Sequence, residues 1–148
     1  MAACGLARVG ISLTTLDAGL SRKMEPRAPA PKRRLQTIER LSAAGIPVRV
    51  LTSPIIPGLT DHELEARLTA GRDAGARAAS WVMLRLPLEV SLLFQQWLVQ
   101  HYPNRADRVM ALVREMHGGE DYKSDWHHRM RGEGHYAQII ASRYRRCI

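Results

Sequence analysis

The chain has 148 residues, 45% of them hydrophobic, which suffices for one domain with a buried core. No apolar run approaches the ~20 residues of a membrane helix, and the two cysteines, Cys4 and Cys147, support neither a disulfide framework nor a cysteine metal cluster, so no membrane contact and a reducing, cytoplasmic setting are expected. The net charge of +8 admits nucleic acid as a partner, yet the arginines are scattered, with doublets only at Arg33-Arg34 and Arg145-Arg146.

Ala2 to Arg8 has the look of a helix end that leads into a strand, Val9 to Thr15. In that strand Val9, Ile11 and Leu13 face one way, and Gly10, Ser12 and Thr14 the other. The loop from Leu16 to Ala30 is longer than a usual strand-to-helix connection, and loops of that length are more often functional than decorative. Pro31 opens a helix with Leu35, Ile38 and Leu41 at helical spacing, and Gly45 stands where a left-handed cap is wanted. Pro47 precedes a second strand, Val48 to Ser53. Thr60 and Glu63 have the spacing of a reciprocal capping box, which starts a helix with Leu64, Leu68 and Ala74 inward and Gly75 at its end. The apolar run Ala78 to Leu86 reads as a strand buried on both faces.

Strand, helix, strand, helix, strand predicts an α/β fold with parallel pairing and right-handed crossovers. Beyond Pro87 only helices are expected. Leu88 to His101 carries Leu92, Leu93, Trp97 and Leu98, and Asn104 can cap a helix holding Val109, Leu112, Val113 and Met116. An ordered loop, Glu120 to His135, then leads to a last helix, Tyr136 to Arg146, with Ile139, Ile140 and Tyr144.

In parallel α/β folds the loops at the carboxyl ends of the strands carry chemistry. The first such loop holds Asp17, Arg22, Lys23, Glu25 and Arg27; a guanidinium there can grip a carboxylate, or Glu25 can simply pair with Arg27 or Lys23. Ser12 and Thr14 need hydrogen-bond partners if they are buried, which points to a ligand or water, or else to a strand with one wet face. Pro54-Ile-Ile-Pro-Gly58 is a rigid turn that can present backbone groups to a flat base. His117, His127, His128 and His135 beside Asp121 and Asp125 match no zinc spacing, and neither a nucleophile elbow nor a glycine-rich phosphate loop is present. No catalytic or metal-ligating residue is therefore assigned.

Thr14-Thr-Leu-Asp17, Met24-Glu-Pro-Arg27, Arg34-Leu35, Ala44-Gly-Ile-Pro47, Pro54-Ile-Ile-Pro-Gly-Leu-Thr-Asp61, Leu84-Arg-Leu-Pro-Leu-Glu89 and Arg129-Met-Arg-Gly-Glu-Gly134, in that order, resemble the C-terminal half of bacterial radical S-adenosylmethionine (radical SAM) proteins of a branch related to spore photoproduct lyase. The resemblance implies a partial (β/α) barrel fragment of three parallel strands over residues 1–87 and a helical C-terminal extension over residues 88–148. It places Ser12 and Thr14 near the ribose of SAM and Lys23 and Arg27 near its methionine carboxylate. The backbone at Ile56, Gly58 and Leu84 would lie near its adenine. In the complete family protein a [4Fe-4S] cluster reductively cleaves SAM to a 5′-deoxyadenosyl radical that abstracts hydrogen. The CxxxCxxC motif of that cluster does not occur in these residues, so the resemblance implies no cluster on this chain alone and no activity in isolation. The implied partner is a missing or separate N-terminal half, with self-association expected without it. A basic nucleic-acid-binding module, or a repurposed non-catalytic domain, is the alternative.

Overall fold

β1 (Val9–Ser12), β2 (Val48–Ile55) and β3 (Ala78–Met83) form one parallel sheet in the order β1-β2-β3. The computed structural model describes residues 7–122, 124 and 130–148. The helices are α1 (Ala18–Met24), α2 (Pro31–Ala43), α3 (Leu64–Asp73), α4 (Glu89–His101), α5 (Pro103–Glu115) and α6 (Gly134–Cys147). β1 pairs with β2 in the register Val9 to Val48, Gly10 to Arg49, Ile11 to Val50 and Ser12 to Leu51. The α/β architecture of parallel strands followed by a helical region is thus as the alternation predicts.

The chain divides into two compact units, one of Met1–Ser53, Glu63–Trp81 and Cys147–Ile148, the other of Pro54–His62 and Val82–Arg146. In the first, α2 packs on β1 and on α3. Leu13, Ile38, Val48, Val50, Leu64 and Leu68 are buried there, each no more than 5% exposed. Val50 faces α3, because a Cβ built on Gly71 would lie 3.0 Å from its side chain. In the second unit α4 packs on α5, and Leu98, Val109, Val113, Met116 and Ile140 are fully buried. Leu92 and Leu93, on the same helix as Leu98, are instead 61% and 60% exposed.

Several boundaries differ from the sequence reading, each for a local reason. The stretch from Leu16 to Ala30 is not all loop: it holds α1, capped by the Asp17 carboxylate, which accepts from the Gly19 and Leu20 amides at 2.7 and 3.1 Å. β1 stops at Ser12 rather than Thr15 because the carbonyls beyond it accept from a side chain and not from a strand. β2 continues to Ile55, whereas β3 stops at Met83 rather than Leu86, its last amide donating to the Met130 carbonyl. The capping box does not form. Thr60 accepts from the Ile56 amide at 2.9 Å, and α3 begins only at Leu64, after a 3-10 turn at Asp61–Glu63. Pro103, not Asn104, opens α5, following the general preference of proline for a first helical position. Residues 1–6, with Cys4 and most of the expected helix end, and residues 123 and 125–129, with Asp125, His127, His128 and Arg129, lie outside the described residues.

Candidate functional site

At the carboxyl end of β1, in the first unit, a buried network of charges holds the backbone in place. Arg34, from α2, is 8% exposed; its three nitrogens donate to the Pro29 carbonyl at 2.9 Å, the Ser12 carbonyl at 3.0 Å and Glu25 Oε2 at 2.6 Å. Thr14 donates to that same carboxylate oxygen at 2.9 Å, and Ser12 donates to the Ser53 carbonyl at 3.2 Å. Arg67, from α3, is fully buried and donates to the carbonyls of Thr14 and Leu13 at 2.6 and 3.4 Å. Glu63 accepts from the Thr15 hydroxyl at 2.6 Å and from the Leu16 amide at 3.3 Å. Two guanidiniums and two carboxylates therefore supply the bonds that the strand ladder no longer provides, and buried polar groups of this kind are costly unless so satisfied.

The network answers what the sequence left open for Ser12 and Thr14: both hydroxyls have protein partners. Glu25 pairs with Arg34. Lys23, in the last turn of α1, and Arg27, in the loop after it, are exposed, and Arg27 makes no ion pair or hydrogen bond among the described residues. Cations following the strand end are thus presented to solvent, where a carboxylate could reach them.

The second unit holds Ile56, Gly58 and Leu84. Leu84 donates its amide to the Ile55 carbonyl at 2.9 Å, and the Ile56 carbonyl accepts from Leu59 and Thr60 at 3.1 and 2.9 Å. With its amide on Thr60, Ile56 has both backbone groups committed to the turn. Gly58 takes a φ of +72°, which only glycine adopts readily, and the Leu112 side chain lies 3.2 Å from where its Cβ would stand. Tyr136 donates to Asp61 Oδ2 at 2.5 Å, while Arg143 donates to the Asp61 carbonyl at 2.9 Å. Burial, and after it the bond to Asp61, push the Tyr136 phenol up to about 12. Further along, Asp121 accepts from Ser91, and from Arg114 at 2.7 Å; the Ser91 bond is the main cause holding its carboxyl below the usual range, with Arg114 adding to it against burial.

Sequence reasoning assigned no role to Arg67 or Glu63 at the strand end, nor to Tyr136 on Asp61. A signal did exist for the arginines. Arg34 stands four residues before Ile38, and Arg67 three after Leu64, so each lies on the inward stripe of its helix.

Among the described residues no group of three His, Cys, Asp or Glu side chains could hold a metal ion, and Cys147 is exposed. Two cysteines in the sequence are too few for the several thiolates that an iron–sulfur cluster requires, so such a cluster does not fit these residues.

Residues 1–69, which run from β1 into α3, match the model of the radical SAM superfamily. An uncharacterized protein of Mycobacterium bovis and one of Mycobacterium tuberculosis are each 32% identical over 108 residues, 72% of this chain and 32% of the relative. The chain thus spans about a third of the length of these curated relatives. No solved structure is significantly similar to it. The superfamily match supports radical SAM family membership, and complete proteins of that family use SAM and a [4Fe-4S] cluster.

Proposed function

We propose that this chain is the C-terminal part of a radical SAM protein, of a branch related to spore photoproduct lyase, and that it supplies one wall of the SAM pocket but not the cluster. The superfamily match over residues 1–69 carries the reading. In the first unit the wall is the strand end at Ser12 and Thr14, kept in a fixed conformation by Arg34 and Arg67, with Lys23 and Arg27 after it for the methionine carboxylate. The adenine contacts that the resemblance gives to Ile56, Gly58 and Leu84 belong to the second unit, where the Ile56 amide and carbonyl are already bonded within the turn. Preorganised backbone of this sort binds without an ordering cost at the moment of association. The complementary half, carrying CxxxCxxC, is the partner of the β1 edge. In the assembled protein a cluster held by the front half would supply the electron for SAM cleavage, and this chain's own residues would bind and orient SAM.

Titration calorimetry tests the reading. SAM should give no saturable heat with this chain alone and should bind once the chain is mixed with a CxxxCxxC-bearing front half. The Arg27→Ala variant should weaken that binding at least tenfold. Failure of the mixture to bind SAM would sink the reading.

A second reading rests on the net charge of +8. A basic nucleic-acid-binding module would retain DNA or RNA at low salt without SAM, and lose it steeply as salt rises. A flat gel-shift titration at low salt would remove it.

A further inference from the structure

At the amino ends of the three strands, away from the loops considered above, the first unit has an open pocket of about 600 Å³. Arg8, just before β1, Arg49, on β2, and Arg77, just before β3, line it. The register explains why they converge. Gly10 pairs with Arg49, and the Arg77 amide donates to the Val48 carbonyl at 2.9 Å, which in a parallel ladder sets Arg77 opposite Arg49. Paired residues on adjacent strands point to the same face, so Gly10, Arg49 and Arg77 form one row across the sheet. This row is on the face opposite Val50, which packs on α3.

Gly10 lines the pocket in that row and leaves room for the Leu51 side chain. A side chain there would meet Leu51, whose Cδ1 is 3.2 Å from the Cβ position. Like charges directly opposite on neighbouring strands repel, and no carboxylate among the described residues lines the pocket. None of the three guanidiniums makes a side-chain hydrogen bond or ion pair among the described residues. All three are exposed. Three planar, permanently charged forks around one concavity are suited to the several oxygens of a phosphate group. Pro47 and Leu51, which alternate with Arg49 on the same face, supply apolar walls, and the volume falls within the ~300–1,000 Å³ of small-molecule sites, far more than a lone phosphate fills.

We propose that this pocket is a binding site for a phosphorylated small molecule of nucleotide size, separate from the strand ends assigned to SAM. The guanidiniums hold the phosphate, and the apolar walls hold the organic part. The same anionic chemistry can come from free phosphate, so the test carries both probes.

Titration calorimetry on the full chain with adenosine 5′-monophosphate, pyrophosphate and inorganic phosphate should give saturable binding, with the nucleotide tightest. The Arg49→Ala/Arg77→Ala double variant should weaken the nucleotide at least tenfold, and the double lysine variant should recover part of that loss. Gly10→Leu, which crowds Leu51 and the pocket but leaves every charge, should abolish nucleotide binding, with its cooperative unfolding followed alongside to show that the variant is folded. Arg40→Ala, on α2, removes a charge that does not line the pocket and should change nothing. Absence of saturable binding by every probe overturns the proposal. So does an equal loss in Arg40→Ala, which would mark a diffuse basic surface, or phosphate binding as tightly as the nucleotide, which would leave the apolar walls without a role.

Discussion

Arg67 shows most plainly how one side chain holds the strand end. It is fully buried, and its guanidinium satisfies the carbonyls of Leu13 and Thr14. Arg67→Met keeps much of the volume but strands those acceptors, each unsatisfied group costing roughly 1–3 kcal/mol. The variant should lose about 2–4 kcal/mol in urea unfolding; an unchanged midpoint would show that the carbonyls have found other donors. Tyr136 gives a second, spectroscopic handle. The neutral phenol is the protonated form, and its pKa is raised to about 12 in the folded protein. Its stabilising contribution is therefore complete below the unfolded value of ~10 and is lost as pH rises through the folded one. Alkaline titration followed by tyrosine absorbance should show a late-ionising phase, and Tyr136→Phe should remove that phase. A titration unchanged by Tyr136→Phe in its late phase would show that the burial and the bond to Asp61 do not hold the proton.

At the scale of elements, the contact of α3 with β2 depends on a missing side chain. Gly71 lies inside α3, where alanine would gain roughly 1 kcal/mol in helix propensity. A Cβ there would stand 3.0 Å from Cβ, Cγ1 and Cγ2 of Val50. Overpacking of this kind costs roughly 1–3 kcal/mol, so Gly71→Ala should be destabilising by about 1 kcal/mol despite the better propensity. Val50→Ala should restore much of it, and a double-mutant cycle with no coupling would disprove the contact. The helices α2 and α3 were legible from period and punctuation, with Pro31, Gly45 and Gly75 marking their limits, and both cap glycines do take positive φ. α1 was not. It is only seven residues long and contains Gly19, so no hydrophobic period reveals it, and what makes it form is the Asp17 cap.

For the whole molecule, the unpaired side of β1 is the feature with the widest consequence. Among the described residues β1 has β2 as its only neighbour, and an open strand edge is a template for another chain. The chain alone should therefore self-associate, and sedimentation velocity should show the weight-average mass rising with concentration. A charged or proline substitution at Ile11 should reduce the association; a monomer at all concentrations would contradict it.

The sequence by itself determined the alternation of strands and helices, and with it a parallel sheet, because the periods of 2 and 3.6 and the proline and glycine stops are local properties. It also set the cysteine count at two, fewer than the several thiolates of an iron–sulfur cluster. Only the tertiary structure decided where polar side chains find partners. Ser12 bonds the backbone of Ser53, Thr15 meets Glu63, and Arg67 meets Thr14, pairs separated by 41, 48 and 53 positions. Register likewise decided that Arg49 and Arg77 share a row with Gly10, since strand pairing depends on long-range hydrogen bonds that no local pattern encodes.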